Sequence, residues 1–181
     1  DETMDAEGCR DFVKRHIEDV AQILDKLESV HLTLSMEKSN FGVGEILVVG
    51  HMCGKYGRKP NPEKVDAISR MKACKGITEI RRFLGACVFY QIWVPHFAHI
   101  SDPLYKLLRK GKKFIWEEEQ VIAMENLKKI LSSPPVLQQV DYECGRPVII
   151  TVDTSPIAIG WAIGQDDQER KRFAVRFGAR I

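Results

Sequence analysis

Apolar residues recur at helical intervals over residues 9–30, where Phe12, Val13, Ile17, Val20, Ile23, Leu24 and Leu27 share one stripe. That spacing predicts an amphipathic helix. The period then changes. Residues 32–34 and 45–53 read as extended, with Gly42 and Gly44 before the second run and Gly54 and Gly57 after it. They predict a small antiparallel sheet packed on the first helix. The stretch KPNPEK (59–64) marks a boundary: Asn61 suits an N-cap, Pro62 suits the first turn, and Val65, Ile68 and Met71 follow at helical spacing. A further helix is predicted from Thr78, capped by its hydroxyl and ending before Pro95. Another runs from Ser101-Asp102-Pro103 to Gly111, and a last one covers 117–131. Three Glu in the first turn of that last helix and Lys128 and Lys129 near its end suit the helix dipole. Ser132-Ser133-Pro134-Pro135 breaks the helical pattern. Residues 147–152, 157–163 and 172–177 then predict three antiparallel strands, with Asp166-Asp167 in a turn. The fold class is α+β: a small antiparallel sheet, a helical bundle, then more antiparallel strands.

Charge changes the picture more than composition does. The chain of 181 residues has a net charge of only +2, yet residues 60–115 carry eleven Lys/Arg against four Asp/Glu, a net +7. Residues 1–59 sum to −3 and 116–181 to −2. A basic middle between acidic flanks attracts polyanions. No apolar run is long enough to span a bilayer, so no membrane partner is expected. Five scattered cysteines without a C-x-x-C pair read as reduced thiols, hence an intracellular protein of cytoplasm, nucleus or virus-like particle.

Four groups of residues are candidates for chemistry. Along the basic helix, Ile80, Phe83, Leu84, Cys87 and Val94 form a core stripe, while Arg81, Gly85 and Phe89 fall at i, i+4 and i+8 on another face. A cation, a bare backbone and a flat aromatic in line suit a nucleic-acid groove. A helix packed on both sides, with Gly85 admitting a neighbour, is the competing reading. Asp153 ends the apolar run VIITV, and a carboxylate leaving a buried strand suits a divalent cation. A turn-forming Asp is the competing reading there, and Asp166, Asp167 and Glu169, crowded in one turn, make a poor cage. His96 and His99 lack a third ligand and fit a loop or cap. Gly50-His51 either places a histidine beside a substrate strand or closes a hairpin. The sequence holds no phosphate-binding G-x-x-x-x-G-K-[ST] loop, no G-x-S-x-G elbow and no H-E-x-x-H.

In order, these pieces resemble the pol polyprotein of gypsy-type LTR retrotransposons, close to the fungal members. RHIEDVAQILDKLESVHLTLSMEKSNF resembles the helix and strand after the polymerase catalytic hairpin. ILVVGHMCGKYGRKPNPEKVDAI is similar to the family's primer-grip hairpin and first thumb helix. TEIRRFLGACVFYQIWVPHFAHISDPLYKLLRKGKKFIWEEE resembles the thumb, and PVIITVDTSPIAIGWAIGQ the opening strands of the retroelement ribonuclease H. The resemblance implies a palm remnant with a primer-grip-like hairpin over 1–59, a helical thumb over 60–113, and a connecting helix with the first RNase-H-like strands over 114–181. It further implies that Gly50, His51, Arg81, Gly85 and Phe89 contact nucleic acid, and that Asp153 is the first RNase H carboxylate, binding Mg²⁺ in the complete parent. Val49 stands where the family has an aromatic or Leu, and Gln91 and Ile92 stand where it commonly has two arginines.

The implied function is that of a reverse-transcriptase fragment. It clamps an RNA/DNA template–primer duplex, works with the rest of the pol polyprotein, binds no metal tightly and is inactive alone. The polymerase's paired aspartates and the later nuclease carboxylates are absent from this sequence. The alternative is a domesticated or excised non-catalytic module that binds nucleic acid or protein, including a second copy through unpaired strands.

Overall fold

The helical stripe of residues 9–30 produces helix α1, Asp11–Ser29, in the computed structural model, which describes Met4 and residues 8–180. Two compact units divide the chain, Asp1–Val43 and Gly44–Ile181. In the first unit none of the residues of α1 is buried, and Phe12, Ile17 and Ile23 are exposed. Within this unit alone there is too little apolar matter to close a core over the predicted stripe. The sheet expected to cover it belongs to the second unit. Residues 32–34, predicted as extended strand, lie in irregular chain before a 3₁₀ turn at Met36–Lys38. No ladder partner holds them as a strand.

The second unit opens with a meander of three short strands: β1 (Glu45–Val48), β2 (His51–Gly54) and β3 (Gly57–Pro60). The single run predicted over 45–53 is thus two strands, split by a two-residue turn at Val49-Gly50 that sets Val48 opposite His51. Four helices follow. Helix α2 (Pro62–Ser69) is capped as predicted, with the Asn61 side chain accepting from the Glu63 N–H at 2.9 Å. Helix α3 (Ile77–Phe89) starts one residue before the predicted Thr78, with Gly76 at its N-cap. There the Glu79 carboxylate accepts from the Lys75 N–H at 2.7 Å, in place of a threonine cap.

Helix α4 (Phe97–Lys106) begins well before the predicted Ser101, so Pro103 lies inside it. His96 is its N-cap in a left-handed conformation, φ +53°, and burial of Phe97, Ala98 and Leu104 fixes the earlier start. The Ser101 hydroxyl donates to the Phe97 carbonyl at 2.7 Å, and the buried Asp102 carboxylate meets Lys106 at 2.7 Å and Arg109 at 3.8 Å. Helix α5 (Glu118–Ser132) opens on a capping box, Glu117 with Gln120, as its acidic start suggests. The stripe Ile80, Phe83, Leu84, Cys87 and Val94 is buried together with Trp93, Leu104, Leu127 and Leu131. Each such side chain stabilises the fold by about 1.5–3 kcal/mol of transfer free energy.

The last sheet is β4 (Val148–Thr154), β5 (Ile159–Asp166) and β6 (Arg172–Arg180), antiparallel in that order, with a bulge in β6 opposite Ile163/Gly164. Ala174, Phe177 and Ala179 of β6 pack on the helical core. Buried Gln165 fastens the preceding loop. Its side chain accepts from the Asp141 N–H at 2.9 Å and donates to the Asp141 and Arg146 carbonyls at 3.0 Å. Strand β4, expected to be buried, is an exposed edge: Ile150 is 65% and Val152 58% accessible.

Leu137, on the link between α5 and β4, bridges to Arg58 of β3, and the neighbouring Gln138 N–H donates to the Ala174 carbonyl of β6 at 2.9 Å. The link thereby stitches the two sheets of this unit together.

Candidate nucleic-acid interface

The turn between β1 and β2 is a tight one with both central residues left-handed, Val49 at φ +48° and Gly50 at φ +82°. Such a turn matches the twist of the strands it joins. A β-branched residue in that region is strained, and the strain is held at a tip where Val49 is 82% exposed. Gly50 lies against α3: a Cβ added there would come within 3.2 Å of the Phe89 ring. Its carbonyl accepts from the Tyr90 hydroxyl at 3.5 Å and from the Asn61 N–H at 3.2 Å. Next in line, the His51 ring stacks on Phe89 at 5.3 Å between centroids and 24° between planes, and lies 5.0 Å from Trp93. Gly50, His51 and Phe89, chosen separately in the sequence, therefore meet at one place.

Gly85 and Arg81 stand one and two turns back from Phe89 along α3, on the same exposed face. Nothing lies within 4 Å of a Cβ built on Gly85, so no neighbouring helix uses the gap there. The stripe spans about 12 Å at the helical rise. Beside it runs a groove of about 920 Å³, floored by Ile68, Met71, Ala86 and Phe89 and rimmed by Lys64, Lys72, Lys75 and Arg82. No salt bridge among the described residues occupies these four cations or Arg81. The rim residues, Tyr90 and Trp93 were not singled out from sequence. The net +7 of residues 60–115 was the available signal for the cations.

Burial, helped by the Arg58 charge and opposed by a Gly50 backbone hydrogen bond, holds His51 below its ordinary 6.5. The folded state therefore favours neutral imidazole. Stability from this group is fully present above pH 6.5, the unfolded value, and is lost as pH falls through the folded value. Acid titration of the unit should show loss of hairpin order below that pH. In His51→Phe, which keeps the ring stack without a proton site, this component of the acid transition should disappear. Burial also pushes the Cys87 thiol up to about 12, which keeps it an unreactive core residue.

Asp153 is exposed at one end of the β4–β5 ladder, opposite Gly160, while Asp166 lies at the other end. Asp166 is held below the usual carboxylate range by its hydrogen bonds to the Arg172 guanidinium. The Asp167 carboxylate accepts from the Glu169 and Lys171 N–H groups and so builds the turn. Among the described residues no group of three or more His, Cys, Asp or Glu is placed to hold a metal ion. The described residues alone do not assemble a two-metal site. His96 caps α4 by position, and His99 lies within that helix.

The second unit is a helical bundle and two small antiparallel sheets with an open cationic helix face. Residues 116–181 match the family model described as the RNase H-like domain found in reverse transcriptase. Over 162 residues, 90% of this chain, the sequence is 28% identical to the Transposon Tf2-3 polyprotein of Schizosaccharomyces pombe, and equally to the Tf2-4 polyprotein. The chain spans 12% of the length of these curated relatives. The fold is similar to that of a foamy viral protease-reverse transcriptase solved with double-stranded DNA, with a TM-score of 0.76 and 22% identity over 93% of this chain and 29% of that one. It is also similar to the same viral enzyme solved with an RNA/DNA hybrid, with a TM-score of 0.73, 22% identity, and 93% and 22% coverage. Residues 116–181 are thus similar to the RNase H-like domain found in reverse transcriptase, and the chain as a whole is similar to part of the Tf2 retrotransposon polyproteins. No helix among the described residues is long and apolar enough to cross a membrane.

Proposed function

We propose that this chain holds an RNA/DNA template–primer duplex for an RNA-directed DNA polymerase with RNase H, as part of a pol polyprotein acting inside the cell. The observation that carries this reading is the open Arg81–Gly85–Phe89 face, joined to the Gly50–His51 hairpin by the His51–Phe89 stack. Residues 1–59 serve as palm end, 60–113 as thumb and 114–181 as connecting helix and RNase-H-like strands. Phosphates meet Arg81 and the lysine-lined groove, the backbone at Gly85 admits a close approach, and Phe89 packs on sugars. Binding of this kind follows duplex shape and charge, with little base readout. In the same reading the chain does not turn over nucleic acid alone, and Asp153 contributes to Mg²⁺ binding only within the whole enzyme.

A fluorescence-anisotropy salt titration tests the proposal. Duplex affinity should fall steeply with salt, and Arg81→Ala should lower the slope of log K against log salt by about 0.9. Metal-dependent cleavage of an RNA–DNA hybrid that Asp153→Asn abolishes would show that the chain is more than a clamp. The exposed β4 edge, with Val148, Ile150 and Val152, favours a second reading: a protein-interaction or self-associating module. Salt-insensitive association without duplex binding would select it.

A further inference from the structure

The seam between the two sheets of the second unit has a single residue at its centre. Arg58 exchanges two backbone hydrogen bonds with Leu137, at 2.8 and 3.2 Å. Its carbonyl also accepts from the Trp93 indole N–H at 3.4 Å. Its guanidinium donates to the Val175 carbonyl at 3.2 Å. Val175 is the extra residue of the β6 bulge, lying between Ala174 and Arg176, which pair with Gly164 and Ile163. A bulge leaves ladder groups unpaired and re-aims them. Here the Ala174 carbonyl is taken by Gln138 and the Val175 carbonyl by Arg58. On its other side β3 pairs with β2, Cys53 opposite Arg58 and His51 opposite Pro60. An unbroken path of backbone hydrogen bonds therefore runs from the His51 hairpin through β3 and residues 137–138 to β6.

We propose that Arg58 is a positioning residue, fixing the Gly50–His51 hairpin at a set offset from the β6 sheet so that a duplex seated at the hairpin is held in register with the RNase-H-like strands. The function of that offset rests on the duplex-holding reading above; the seam itself does not. A guanidinium suits the task because its planar, preorganised fork loses less freedom per hydrogen bond than a lysine ammonium does. Arg58 is half-buried and spends its side chain on a carbonyl, and Arg81 and the groove rim remain to meet phosphate.

The test combines amide hydrogen exchange with duplex anisotropy over a salt series, on Arg58→Ala and on Gln138→Pro, which cuts the seam without touching Arg58. Retained protection of Leu104 and Leu127 in the helical core serves as the folding control. Both variants should speed exchange across residues 51–54 and weaken duplex binding about tenfold, a loss on the scale of one or two hydrogen bonds, with the salt slope unchanged. A slope lower by about 0.9 in Arg58→Ala would make Arg58 a phosphate contact and overturn the proposal. Unchanged exchange at 51–54 would overturn it as well. If the wild-type chain binds no duplex, the clamp reading falls, while the exchange arms still decide whether Arg58 positions the hairpin.

Discussion

Gly57→Ala should destabilise the second unit by about 3 kcal/mol and lower its thermal midpoint by roughly 10 °C in differential scanning calorimetry. Two independent costs add. Gly57 has φ +114°, a conformation that L side chains rarely adopt, which costs on the order of 1–3 kcal/mol. A Cβ there would also sit 2.2 Å from the Leu137 carbonyl oxygen. That atom is backbone, and it is held by the Arg58 N–H at 2.8 Å, so it moves away only by breaking the bridge. Losing the two Arg58–Leu137 bonds adds about 0.5–1.5 kcal/mol each. Gly178→Ala is the control. Its Cβ would meet the Trp161 ring at the same 2.2 Å, but the obstacle is a partly exposed side chain that can swing, and no positive φ adds to the cost. Its loss should stay near 1 kcal/mol. Equal losses in the two variants would mean that the Gly57 backbone is not locked by the seam.

What the sequence disclosed divides along physical lines. The α3 stripe was legible because a helical core face repeats every three or four residues, whatever it packs against; Ile80, Phe83, Leu84 and Cys87 are buried along the helix, and Val94 is buried just beyond the 3₁₀ turn that follows it. Asn61-Pro62 and the Glu117 capping box were legible because caps are local chemistry. Strand β4 was misplaced as buried because a Val/Ile run has the same composition at a free edge as in a covered sheet. A hairpin at Gly50-His51 was one of the two readings weighed there, but its turn falls one residue earlier, at Val49-Gly50, because valine is a poor left-handed residue and gave no local signal for it. Helix α4 began early because its N-cap, His96, is fixed by the burial of Phe97 and Ala98 rather than by a capping side chain. At the candidate site, the i, i+4, i+8 spacing of Arg81, Gly85 and Phe89 could be read directly, and the open space around Gly85 shows that among the described residues no neighbouring helix packs into it. The His51–Phe89 stack and the Arg58 seam could not be read. They depend on residues distant in the chain, Arg58 and Val175 being 117 positions apart.

Gly85→Leu should separate stability from binding more sharply than any other change on α3. Glycine inside a helix costs about 0.5–1 kcal/mol relative to alanine, through the freedom its backbone loses on folding. Nothing within 4 Å opposes a Cβ at Gly85, and leucine is a strong helix former, so chemical denaturation should show a unit as stable as wild type or slightly more so. Duplex affinity should nevertheless fall tenfold or more, about 1.4 kcal/mol, because the new side chain would stand where the proposal brings a sugar–phosphate chain to the bare backbone between Arg81 and Phe89. The salt dependence distinguishes this loss from the removal of a cation. On the duplex-holding proposal, Arg81→Ala should take away a phosphate partner and flatten the salt slope, whereas Gly85→Leu leaves every charge in place and should shift the line without changing its slope. Gly85→Ala should fall between wild type and Gly85→Leu, since a methyl group takes only part of the clearance. If Gly85→Leu binds duplex as tightly as wild type, the nucleic acid does not lie along this face. The lysine-rimmed groove beside it would then have to carry the contact alone, and neutralising Lys64, Lys72 and Arg82 together would abolish binding where Gly85→Leu had not.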